Sequence, residues 1–361
     1  MSITDRARLC VVLVVGAGLL VAACGGGSST DACGLSNSAA ATNAAAPATA
    51  AASGSWSYAN ADLDNTRDAR GSTISSANLS GLAQAWTFKL TGRAAAGLRP
   101  YGSLAANPIV QDGVVYFQDL DSNVYALALA TGKLRWYYQG VPDDFKDYDM
   151  QTSPISANIN GVSVVIGSGK MGYVYEMNAE TGQLIWKTPV GEHNGHDDDS
   201  LHALEHTSTL KAPLTILPGS LGGVLTNLAL AGGTLYAVTC DLPLTYTSLN
   251  EPTPTKAAGP ATGEVAALNL ATGKVEWDTK VPQLPLGAAT VSNDLVFTTL
   301  YKGVLIALDR RTGAIVYRHQ LPTSTNAAIA IAGNTVIVPA GGVTTSTGGG
   351  DPQVVAFTAG R

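Results

Sequence analysis

Two short stretches hold most of the residues in this chain whose types and spacing could do chemistry. The first is Phe145-Lys146-Asp147-Tyr148-Asp149, with Asp143 and Asp144 just before it. Carboxylates at i and i+2 of an extended loop can both reach one hard cation. The same residues also read as a plain acidic loop, because short matches recur by chance. The second stretch, Glu192 to His206, contains four of the five histidines of the chain. Its candidates His193, His196, Asp198, His202 and His206 mix imidazole with carboxylate, which suits a transition metal. His202 and His206 share a face if 200–206 forms a helical turn, with Asp199 as its N-cap. The alternative is a solvated acidic loop inserted between two strands, its histidines there by chance. Both readings stay open for both stretches.

Other chemistries find no footing. There is no His-Glu-x-x-His zinc motif, no Gly-x-Ser-x-Gly nucleophile and no Cys-x-x-Cys pair. Gly219-Ser-Leu-Gly222-Gly223 lacks the lysine and helix of a phosphate loop. A formal charge of −6 over 361 residues argues against a groove built on neutralising nucleic-acid phosphates. Charged residues make up 13%, too few for an acidic disordered chain, while 45% hydrophobic residues suffice for a sizeable core.

The elements that must position these stretches form a repeat. Four segments share a β-rich run, a Thr-Gly turn and a second β-rich run ending in an aromatic residue. They carry Thr131-Gly132 with Trp136, Thr181-Gly182 with Trp186, Thr272-Gly273 with Trp277, and Thr312-Gly313 with Tyr317. The Thr-Gly pairs lie 50, 91 and 40 residues apart. Glycine permits the positive φ of a tight hairpin, and the following aromatic supplies contact between neighbouring sheets. A second apolar strand pair precedes each of the first two patterns, so each period holds four short strands. Four-stranded sheets repeated every 40–50 residues indicate an all-β propeller. Six blades are expected, within a range of five to eight. Recognisable units cover 100–140, 150–190, 227–281, 285–321 and 327–361. Residues 84–90, around Trp86, are expected to close the propeller as the fourth strand of the last unit. Residues 191–226 are either a degenerate sixth blade or an insertion.

The N-terminus reads as an address. Arg6 and Arg8 precede an apolar run, Leu9 to Val21, too short to span a bilayer comfortably. Val21-Ala22-Ala23-Cys24 then resembles the lipobox of bacterial lipoproteins. This predicts a signal peptide over 1–23, a lipidated Cys24, and anchoring at the extracytoplasmic face of the cell membrane. Residues 24–54 are rich in Gly, Ala and Ser and read as a flexible tether reaching on the order of 30 Å. The propeller then occupies 55–361. Cys33 and Cys240 either form a disulfide in that oxidising compartment or never meet.

The Thr-Gly-Lys-x-x-Trp signature resembles the repeat of pyrroloquinoline quinone (PQQ) propellers. The N-terminal block Trp56-Ser-Tyr58, Asp64-Asn-Thr-Arg67, Ile74, Asn78-Leu79, Leu82 and Trp86-Thr-Phe88 is similar to the opening of mature quinoprotein alcohol dehydrogenases. In that family a Trp-Asp-Tyr-Asp type block supplies the catalytic base. The resemblance implies Asp147 as base, Asp149 as a metal ligand, and PQQ with calcium or a lanthanide as cofactor. Three departures stand beside it: Lys146 replaces the expected Trp, no vicinal Cys-Cys pair exists, and the body is about half the usual length. The same superfamily holds non-catalytic members, including a lipoprotein of outer-membrane barrel assembly. The preferred expectation is therefore a membrane-anchored binding or scaffolding propeller without cofactor. Protein partners would meet its rim loops, such as 241–260 and the His/Asp segment, and no nucleic acid is expected. The alternative is a quinoprotein-like oxidoreductase with a divergent site.

Overall fold

A computed structural model describes residues 55–59, 69, 72–90, 107–119, 123–142, 144–199, 210–247, 256–257, 259–341 and 352–358. Cys24, Cys33, Asp143, His202 and His206 lie outside the described residues, as do the leader and the whole tether. Helix among the described residues is limited to a three-residue 3-10 turn at Leu79–Gly81.

Five sheets follow the repeat. The first is β1 (Ile109–Gln111), β2 (Val114–Gln118), β3 (Asn123–Ala128) and β4 (Leu134–Gln139), antiparallel in that order. The second is β5 (Ile155–Ile159), β6 (Val162–Ser168), β7 (Tyr173–Asn178) and β8 (Leu184–Pro189). After a short β9 (Leu214–Ile216), the third sheet runs β10 (Ala229–Ala231), β11 (Thr234–Asp241), β14 (Thr262–Asn269) and β15 (Val275–Val281). Between β11 and β14 the chain makes β12 (Leu244–Tyr246) and β13 (Lys256–Ala257). The fourth sheet is β16 (Thr290–Ser292), β17 (Leu295–Leu300), β18 (Val304–Asp309) and β19 (Ile315–Gln320). The fifth is three-stranded: β20 (Ala330–Ala332), β21 (Thr335–Ala340) and β22 (Gln353–Thr358).

The repeat has a physical cause at each Thr-Gly turn. Gly132, Gly182, Gly273 and Gly313 all adopt positive φ, between 65° and 73°, and each donates its N–H four residues back. A Cβ at these glycines would run into an indole that precedes the turn in the chain: Trp86 from the N-terminal segment, then Trp136, Trp186 and Trp277 from the preceding sheets. Each indole N–H then donates to a carbonyl in that turn, at Leu129 (2.9 Å), Ala179 (2.8 Å), Leu270 (3.0 Å) and Arg310 (2.9 Å). Next to each turn the register of the last strand pair slips at the same place, for example between Ala126 and Leu127. Such a bulge adds local twist to the outer strand. Apolar clusters fill the spaces between consecutive sheets, one per pair.

One expectation needs correction and one open choice is narrowed. Segment 82–90 carries no ladder among the described residues, so the fourth strand expected on β22 is not formed there. Instead Trp86 latches onto the first sheet and Phe88 meets Tyr125 edge-on at 5.8 Å. Of the two readings of 191–226, the described residues show an insertion that supplies one strand to a further sheet. β9 pairs with β12, and β12 with β13, so a sixth sheet of three strands is assembled from two separate insertions.

Candidate functional site

The inserted sheet roofs the first chemical stretch. Ile216 on β9 and Leu244 and Tyr246 on β12 share one buried core with Phe145, Tyr148 and Met150. The Tyr246 hydroxyl donates to the Lys146 carbonyl at 3.1 Å, and the Tyr148 hydroxyl donates to the Pro218 carbonyl. Asn194 stitches the second stretch to β9: its N–H donates to Leu217 O (3.1 Å), its amide to Thr215 O (2.8 Å), and its side-chain oxygen accepts from Leu217 N–H (3.0 Å). Lys146 is fully buried and donates to the carbonyls of His196 (2.7 Å) and Asp197 (2.8 Å). Its ammonium also stands 4.6 Å from the Tyr148 ring centroid. Burial pulls its pKa down to about 8.

Beneath this roof the loop backbone is set by Asp144, whose carboxylate accepts from Lys146 N–H (3.0 Å) and Tyr148 N–H (2.8 Å). Burial pushes the Asp144 carboxyl up despite those bonds. Asp147 adopts φ 66°, a left-handed conformation uncommon outside glycine. Asp147 and Asp149 then converge on Lys170, in the turn between β6 and β7. The Lys170 ammonium donates to Asp147 Oδ2 at 2.9 Å and Asp149 Oδ2 at 2.5 Å. Burial raises Asp149 to about 7, partly offset by Lys170. Burial would lower Lys170, but the two carboxylates outweigh it and its pKa ends raised. The outer oxygens, Asp147 Oδ1 and Asp149 Oδ1, are buried without a hydrogen-bond partner.

The second stretch resolves into pairs. His193 Nδ1 lies 2.6 Å from Asp197 Oδ1, while Nε2 faces the carbonyls of Gly172 (3.1 Å) and Val190 (3.2 Å). Burial opposes charge on that ring, but Asp197 overcomes it and the pKa is raised. His196 Nδ1 lies 2.7 Å from Asp199 Oδ2. Asp198 is 95% exposed, with Lys187 at 3.9 Å. Among the described residues no three His, Cys, Asp or Glu side chains converge as a metal centre, and His202 and His206, the other two candidates of this stretch, lie outside those residues. Cys240 is a buried free thiol on β11, and burial raises its pKa well above the ordinary value.

Sequence reading missed Lys170, Asn194 and Tyr246, and placed Asp144 only as one more acid of its loop. Only Lys170 left a signal: a lone charge in the turn Gly169-Lys170-Met171-Gly172 between two apolar strands. Asn194 and Tyr246 act through partners distant in sequence, whereas Asp144 holds backbone N–H groups only two and four residues on.

The family model described as outer membrane protein assembly factor BamB matches residues 170–359, just over half the chain. A second, described as the β-propeller domain of glucose, ethanol and alcohol dehydrogenases, matches residues 118–199. The chain is 28% identical over 255 residues to the outer membrane protein assembly factor BamB of Burkholderia pseudomallei, covering 66% of this chain and 61% of that protein. It is 29% identical over 118 residues to the quinoprotein alcohol dehydrogenase PedH of Pseudomonas putida, covering 32% and 18%. A solved quinohemoprotein alcohol dehydrogenase from Pseudomonas putida HK5 superposes with TM-score 0.52 at 17% identity, covering 63% of this chain and 43% of that one. These matches span less than two thirds of the relatives' lengths, and the solved likeness carries the fold alone.

The residues present do not fit a quinone with its cation. Lys170 fills the space between the two carboxylates that would hold the ion. The rings of the same loop and of its roof, Phe145, Tyr148 and Tyr246, are buried to 5%, 0% and 0% exposure in a continuous core.

Proposed function

The chain belongs to the PQQ-repeat β-propeller family, and from that membership we propose that it is an extracytoplasmic binding or scaffolding propeller. A lipid on Cys24 holds it to the membrane, and residues 24–54 tether the propeller. Its contacts are made by rim loops, the inserted sheet among them, and its partners are proteins. The observation that carries this reading is the Lys170 bridge under a packed roof, where a cofactor would have to sit. Likeness to an outer membrane protein assembly factor supports a role in gathering protein partners at a membrane surface.

The test is calorimetry of purified protein with PQQ, with and without calcium or a lanthanide. No binding at high micromolar PQQ is expected. Anchoring is tested by fatty-acid labelling of cells, with incorporation lost in Cys24→Ser.

A second reading, a quinoprotein-like oxidoreductase, keeps two supports. The dehydrogenase propeller model covers the Asp147 block, and both outer carboxylate oxygens lack partners. Cation-dependent PQQ binding abolished by Asp147→Ala would establish that reading instead.

A further inference from the structure

Lys170 is held in place at both ends of its side chain. Its backbone N–H donates to Asp149 O at 2.9 Å, and Gly223 packs so closely on its carbonyl that no Cβ would fit there. At the other end its ammonium contacts the two carboxylates at 2.9 and 2.5 Å. Calcium takes carboxylate oxygens at about 2.3–2.6 Å, so the ammonium stands close to where a small hard ion would. All three side chains are largely buried, at 12%, 21% and 10% exposure for Lys170, Asp147 and Asp149. Each carboxylate gives one oxygen to Lys170 and keeps a second, buried and unpartnered. The group therefore holds two potential negative charges against one positive charge. Its spare capacity is for more cation, and nothing in it would repel one except Lys170.

We propose that Lys170 is a built-in cation, occupying the seat between Asp147 and Asp149 that a metal would otherwise take, and that removing it turns that seat into a site for a hard metal ion. This rests on the reading of the site as closed to a quinone. It goes further in naming the ion class that Lys170 replaces and in stating that the seat opens to that ion once Lys170 is gone. Without the ammonium, two buried carboxylates face each other uncompensated, which is costly unless one is protonated or another cation enters.

The experiment titrates the full chain with terbium alone, reading tyrosine-sensitised emission and the unfolding temperature. Wild type is expected to show no saturable component that Asp149→Asn removes. Lys170→Met and Lys170→Ala are expected to bind one ion at least about tenfold more tightly than wild type and to gain unfolding temperature with it. Lys170→Met combined with Asp149→Asn should lose both effects. If Lys170→Met does not fold alone, terbium present during refolding should restore its β-sheet circular dichroism, but not that of the double variant. The proposal is overturned if wild type binds one ion as tightly as Lys170→Met, with loss in Asp149→Asn. It is equally overturned if the Lys170 variants neither bind terbium nor are rescued by it. Wild type that binds terbium as tightly as Lys170→Met, but not PQQ, removes this proposal alone. Wild type that binds PQQ with calcium removes the scaffold reading as well.

Discussion

The repeat sheets and the inserted roof hold their neighbours by different means. Between repeat units the contact is one indole on one glycine, made three times, and Trp86 makes the same contact from the N-terminal segment onto the first sheet, always with the same carbonyl acceptor position. Between roof and loop it is a set of unlike contacts, from Tyr246, Tyr148, Lys146 and Asn194. The first kind buries large apolar area against backbone that only glycine leaves open. The second mostly satisfies polar groups that burial would otherwise strand. The repeated contact should therefore dominate global stability, and the unlike one should govern local order over Asp147 and Asp149.

The sharpest way to break that contrast is at a latch. Gly182→Val combines a β-branched side chain with φ 72° and a clash with Trp136. It is expected to cost about 3–5 kcal/mol or to abolish folding, as is Trp136→Ala, read by chemical denaturation. A loss under 1 kcal/mol in both would show that the latch is not what binds the sheets.

At the roof the effect should be smaller and local. Tyr246→Phe removes one buried hydrogen bond and should cost about 1 kcal/mol. Lys146→Met should speed amide exchange across 193–199 and 214–216 by about tenfold while leaving β14 and β18 protected. Equal acceleration everywhere would mean the roof is part of the global unit.

Acidity separates the regions less steeply. Burial raises Asp149 and Glu176 to about 7 and Asp241 and Asp278 to about 6. A carboxyl raised on folding binds its proton more tightly in the native state. Its stabilising effect is full below about pH 4 and is lost as pH climbs through 6 and 7. Asp197 works in the opposite sense, being lowered despite burial because His193 pairs with it, but its effect is lost only below pH 4. The unfolding midpoint should therefore fall between pH 5 and pH 8. Asp149→Asn should flatten part of that slope; an unchanged slope would place the proton elsewhere.

Smallest of all is Asp198→Ala. With 95% exposure and a 3.9 Å contact to Lys187, it should change stability by less than about 0.5 kcal/mol. A larger change, or one that depends on added zinc, would revive a metal role for the His/Asp stretch.

Much of the fold was legible because it is local. Thr131-Gly132 and Trp136 lie within one hairpin, and the period of such hairpins announces stacked four-stranded sheets. The roof was not legible, because β9 and β12 lie about 30 residues apart and their strands are three residues long. Neither is long enough to show alternation. Asp147 and Asp149 could be singled out as a pair, but Lys170 could not be joined to them, since only the turn after β6 carries it there. Histidine clustering suggested one metal centre. Spacing alone could not reveal that His193 turns toward Asp197 and His196 toward Asp199.

Three of the indole latches join consecutive sheets, the fourth joins the Trp86 segment to the first sheet, and each is the property of a single pair. A load applied along the polypeptide would meet them in series, so none could share the strain of another. Stretched in a single-molecule instrument, the body should give way in discrete steps, one per unit. Each step would release about 40–50 residues, on the order of 150 Å of chain.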